Sequence, residues 1–124
     1  MIERAAVVAV AVAAIVFLGA GLTAARAEDE LFRLGFGDPD VERAERLERT
    51  AGHATPGERR VLLLARVHQN AGNDAAAAAL ARGAAEREPA NGEAWLLLSR
   101  TATGAEAERA AQRLRTLVPP VPDL

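Results

Sequence analysis

Residues 55–91, TPGERRVLLLARVHQNAGNDAAAAALARGAAEREPAN, decide the fold. Thr55, Pro56 and Glu58 have the spacing of a helix start, in which threonine and glutamate satisfy each other's orphan amides and proline takes the first helical position. Val61, Leu64, Ala65 and His68 then recur along one helix face. Ala71-Gly72-Asn73-Asp74 supplies a flexible stop followed by a polar cap for a second helix. That helix runs from about Asp74 to Arg87 and is dense in alanine. It ends before Glu88-Pro89, because proline disfavours helical geometry in the residue before it.

Counted as a 34-residue window from Glu58, the stretch puts alanine at positions 8, 20 and 27 (Ala65, Ala77, Ala84), glycine at 15 (Gly72), proline at 32 (Pro89) and asparagine at 34 (Asn91). Trp95 follows at position 4 of the next window. Ala44, Ala51 and Pro56 lie 33 residues before Ala77, Ala84 and Pro89, and Pro122 lies 33 beyond Pro89. This pattern resembles the tetratricopeptide repeat, in which small residues let two antiparallel helices approach and glycine and proline end them. The resemblance implies an all-α array of helix pairs whose function is protein–protein interaction.

The 124 residues allow one domain, with about 97 following the first 27. Half the residues are apolar, but much of that is alanine, and three phenylalanines and one tryptophan are the only aromatics. A core so thin in large side chains makes a marginal array on its own. The net charge is −2 and all 15 basic residues are arginine, so there is no basic field for nucleic acid. With no cysteine, the chain has no disulfide, thiolate metal site or cysteine nucleophile.

Ala5 to Ala24 is twenty residues without a charge, eight of them alanine. At about 1.5 Å per residue this run matches the roughly 30 Å hydrocarbon layer. Two readings stand. One is an uncleaved single-pass anchor in the plasma (inner) membrane, with a cytoplasmic N-terminus and an extracytoplasmic helical domain. The other is a signal segment cleaved at Ala25-Arg26-Ala27, which would leave a secreted or periplasmic domain. The expected organisation is therefore an anchor or signal segment over 1–27, a juxtamembrane segment over 28–37, the repeat-like domain over 38–118 and a proline-rich tail over 119–124.

Within 28–37, Leu31, Phe32, Leu34 and Phe36 crowd together before Gly35 and Gly37 interrupt. This reads either as a degenerate half-repeat capping the array or as an element lying at the lipid headgroups. Asp38-Pro39 caps a helix to about Ala51, with Val41, Ala44 and Leu47 inward and Glu42, Arg43, Glu45, Arg46, Glu48 and Arg49 on a solvated face. Asn91 caps a short helix to Thr101. Thr103 and Glu106 repeat the capping spacing and start the last helix; this final pair is shortened, its turn glycine arriving two residues early, as suits a terminal element.

No catalytic arrangement stands out. His53 and His68 have no metal-spaced companion, Ser99 has no partner base, and no glycine-rich phosphate loop follows a strand. The reading is of a non-enzyme that needs no cofactor, binds no metal and takes no small-molecule substrate. The polar feature that suggests binding is Arg66 and Arg100, 34 residues apart and both at window position 9, with Arg59 and Asn70 on the same helix face as Arg66. By the resemblance this position lines the concave groove, and guanidinium forks suit an acidic partner segment. The family's carboxylate clamp of lysine and asparagine is not carried over, since lysine is absent and Leu62 holds position 5. The expectation is a membrane-tethered adapter or assembly factor; its rival is a structural subunit packed permanently into a larger membrane complex.

Overall fold

A computed structural model describes residues 2–51 and 58–118, except for the side chains at positions 2, 20, 21, 23, 24 and 51. The described residues are all helical or turn, with no strand. Six helices follow in order: α1 (Ile2–Phe36), α2 (Val41–Ala51), α3 (Arg59–Asn70), α4 (Asp74–Arg87), α5 (Gly92–Thr101) and α6 (Gly104–Leu117). His53, Thr55 and the tail at 119–124 lie outside the described residues.

Each odd-numbered helix packs on the even-numbered one that follows it, and α1, α3 and α5 also pack side by side, with α3 between the other two. The links between pairs are α2 on α3 and α4 on α5. The result is three stacked antiparallel pairs, with one layer formed by α1, α3 and α5. The middle helix touches four neighbours, so its buried side chains extend beyond the one face read from its periodicity: Leu62, Leu63 and Val67 are as buried as Leu64, Ala65 and His68.

Alanine sets the spacing of the C-terminal pairs. Ala65, Ala77 and Ala84 at window positions 8, 20 and 27 are fully buried, together with Ala81, Ala94 and Ala110. The turn after α3 closes as the glycine predicts. Gly72 has φ +81°, the Gly72 amide donates to the Gln69 carbonyl and the Asn73 amide to that of His68. This double closure satisfies carbonyls that the helix end leaves open.

The caps differ in part from expectation. Asn91 accepts from the Glu93 and Ala94 amides, as its position implies. At α2 the capping carboxylate is Asp40, which accepts from the Arg43 amide, rather than Asp38. Asn73 and Thr103 make no side-chain cap hydrogen bond. Glu106 does not reach back to Thr103 because Arg82 takes both its oxygens at 2.7 Å. Glu58 likewise gives both oxygens to Arg87, at 2.6 and 2.8 Å.

Two expectations about the N-terminal third change. Gly35 does not interrupt: α1 continues through the expected boundary at Ala27 as far as Phe36, and its last turns form the first helix of the first pair. Ala27 and Leu31 are buried there, and Leu34 packs with Val41, Ala44 and Leu47 of α2. The charged face of α2 is only partly solvated, because Glu45 and Glu48 turn toward His68 and Arg60, both buried on α3. Among the described residues no helix is long and apolar enough to cross a membrane.

Candidate partner-binding face

The layer of α1, α3 and α5 carries all four residues singled out for partner binding, and three of them already have partners within the chain. Arg59, at the start of α3, reaches back to Glu28 of α1 (Nε to Oε1, 2.9 Å). Arg66, two turns further on, reaches across to Glu93 at the start of α5 at 2.8 Å. Its guanidinium also lies 5.1 Å from the centre of the Phe36 ring, within the range of a cation–π contact. The Asn70 side-chain amide donates to the Gly35 carbonyl at the end of α1. Arg100 is exposed and makes no ion pair among the described residues.

Arg59 and Arg66 of α3 are thus each held by an acid on a neighbouring helix. These contacts fix the stacking of all three helices in the layer. Arg66 is about one-quarter exposed, and its Nε is buried without a hydrogen-bond partner. A buried guanidinium N–H that lacks an acceptor carries a desolvation cost. Phe32 and Phe36 stand together on α1, ring centroids 4.6 Å apart and tilted by 40°. A shallow cleft lined by Ala25, Glu28, Asp29, Phe32 and Arg59 continues the face toward the apolar half of α1.

The residues that sequence reasoning missed are the acids and the aromatic: Glu28, Glu93 and Phe36. They meet α3 across separations of 31, 27 and 30 residues, which no local pattern encodes. A second, smaller cleft lies between α4, α5 and α6, with Trp95 and Leu98 on its floor and the Arg82–Glu106 pair on its rim. Hydrogen bonding to Arg82 holds the Glu106 carboxyl below the usual carboxylate range, and the same pair raises Arg82. The Trp95 indole donates to the Pro89 carbonyl at 2.8 Å, tying the start of α5 to the preceding turn. Among the described residues no three histidine or acidic side chains are grouped to hold a metal ion.

The class these features define is an all-α stack of antiparallel helix pairs. Compared with protein-family models, curated proteins and solved structures, the chain matches none.

Proposed function

We propose that this chain is a membrane-tethered, tetratricopeptide-like interaction module, an adapter or assembly factor whose α1–α3–α5 face receives an acidic segment of a protein partner. The observation that carries the reading is the combination of paired helices in a two-layer stack with buried alanine at window positions 8, 20 and 27. That is the arrangement in which a repeat exposes a continuous helix-lined face. Arg100, exposed and with its charge unmatched among the described residues, is the group that would meet a carboxylate, with the partly exposed Arg66 beside it on the same layer.

The tether is the apolar half of α1. Ala5 to Ala24 carries no charge, and Val7, Ile15, Phe17 and Leu22 are each at least 60 % exposed. Burying a side chain of that size is worth about 1.5–3 kcal/mol, a gain that lipid would supply and water would not. Cleavage at Ala27 is the alternative, and it would remove a residue that packs inside the first helix pair.

Two measurements test the reading. Alkaline carbonate extraction of expressing membranes should leave the chain in the pellet with an intact mass that includes Ala5; a mature protein that begins at Glu28 removes the tether. In crosslinking pull-downs from the same membranes, the Arg66→Gln/Arg100→Gln variant should lose partners that wild type retains while keeping its helical circular dichroism. Unchanged partners at equal salt would remove this face from the interaction.

A further inference from the structure

We propose that α1 pairs with α1 of a second copy, in parallel, along a seam that starts in the apolar half and continues past it to Phe36. This rests on the anchor reading only in its orientation, since two single-pass helices inserted the same way in one membrane are necessarily parallel. Beyond Leu22, the exposed large apolar side chains among the described residues are Phe32, Phe36 and Val118, and two of these three sit on one helix. Phe32 and Phe36 lie about 12 and 18 Å past Ala24 along the axis, whereas the headgroup layer is only roughly 5–8 Å thick on each side. Lipid does not reach them on an upright helix, and among the described residues they remain 46 % and 61 % exposed, with the Arg66 guanidinium on one side of the Phe36 ring.

Their spacing points to the occupant. From Phe36 the alternating steps of four and three residues pass through Phe32, Asp29 and Ala25, then run on into Leu22, Leu18 and Ile15. This 3.5-residue repeat is the period of a left-handed helix pair. The array packs on the other side of α1: Ala27, Leu31 and Leu34, the residues facing α2 and α3, are each offset by two from a seam residue, a rotation of roughly 200°. A second helix can therefore lie along the seam without displacing the first pair.

The charges beside the seam match a parallel partner. In that register Glu28 flanks the seam opposite Arg33 of the second copy, the five-residue offset at which opposite charges pair in parallel coils, so Glu28 would be shared between that Arg33 and its partner within the chain, Arg59. Arg33 is three-quarters exposed and tied only to Asp29 one turn back, so it is free to turn. Asp29 is the one polar residue in the extramembrane seam, and a lone polar residue in a seam fixes register at a cost in stability.

Because the chain has no cysteine, single-cysteine variants of the full chain in native membranes test the seam directly. A disulfide forms only when two Cα atoms come within about 4.4–6.8 Å. With a membrane-permeant oxidant, Leu18→Cys, Ala25→Cys and Phe32→Cys should give a covalent dimer, and Phe17→Cys, a quarter-turn off the seam, several-fold less. Replacing the polar seam residue, Asp29→Leu, should raise the Phe32→Cys dimer yield. Equal yields on and off the seam, or monomer at every seam position, would overturn the proposal. So would monomer in which Phe32→Cys is shielded from a water-soluble thiol reagent by lipid. Carbonate extraction of the same samples separates the two ideas: a soluble chain defeats the anchor, whereas a membrane-retained monomer defeats the pairing alone.

Discussion

The two halves of the array are held together by different chemistry. Between α4, α5 and α6 the contact is made of alanine and leucine: Ala81, Ala84, Ala85, Ala94, Leu97, Leu98 and Ala110 form one cluster with no buried charge among them. Between α1, α2 and α3 the cluster is smaller and built on larger side chains, Leu31, Leu63, Leu64 and Val67, with Ala44 as its one small member. One buried ion pair and one histidine–carboxylate contact border it. Arg60 Nε lies 3.9 Å from Glu48, and His68 Nε2 lies 3.4 Å from Glu45. The C-terminal half thus gains specificity from closeness, since only small residues fit. The N-terminal half gains it from charge placement, which positions α2 at some cost in desolvation.

That contrast can be broken first at Leu31, the fully buried side chain by which α1 joins the array. Leu31→Ala should cost about 2–5 kcal/mol in a urea melt, as leucine truncations in cores do. A loss much below that would mean that the last turns of α1 are an appendage rather than part of the stack. The alanine half should respond to the opposite change. Ala84→Leu should overpack α4 against its neighbours and cost about 1–3 kcal/mol, whereas Ala79→Leu, on the exposed side of the same helix, should cost little. Equal effects at the two positions would show that the spacing is not set by small residues.

A smaller effect of opposite sign is expected at His68, whose Nδ1 is buried with no hydrogen-bond partner among the described residues. His68→Leu removes that buried nitrogen and should raise stability by about 1 kcal/mol or less. A clear loss would instead show that the Glu45 contact holds α2 in place. The smallest effect concerns pH. The Glu106 carboxyl is held low by its hydrogen bonds from Arg82. Its contribution is therefore present above the ordinary carboxylate range and is lost as pH falls through the lowered value. Wild type should lose slightly more stability than Glu106→Gln between neutral and acid pH; parallel curves would mean that the surface pair contributes nothing.

The sequence disclosed the alanine half well and the charged half poorly, for physical reasons that differ. Helices α4 and α5 begin and end where Asp74, Pro89 and Asn91 place them, because capping and proline geometry act over four residues or fewer. Buried Ala65, Ala77 and Ala84 were legible because close packing tolerates few alternatives there. The pairing of Arg59 with Glu28 and of Arg66 with Glu93 was not, since any of 15 arginines could meet any of 17 acids until stacking chooses. Gly35 misled in another way. It reads as a helix breaker, yet it sits inside α1 where α3 passes closely: a methyl group added there would lie 3.7 Å from the Arg66 Cβ, and its carbonyl receives Asn70.

The central claim is that one helix serves both as the apolar segment and as the first element of the stack of helix pairs. Amide hydrogen exchange on the full chain in detergent tests it most directly. Protection should continue without a break from the apolar run through Ala25 to Phe36, and Leu31→Ala should weaken it over 25–36 while leaving the apolar run unchanged. Fast exchange across 25–36 in the wild type, with slow exchange on either side, would show a flexible joint where this account requires a continuous helix.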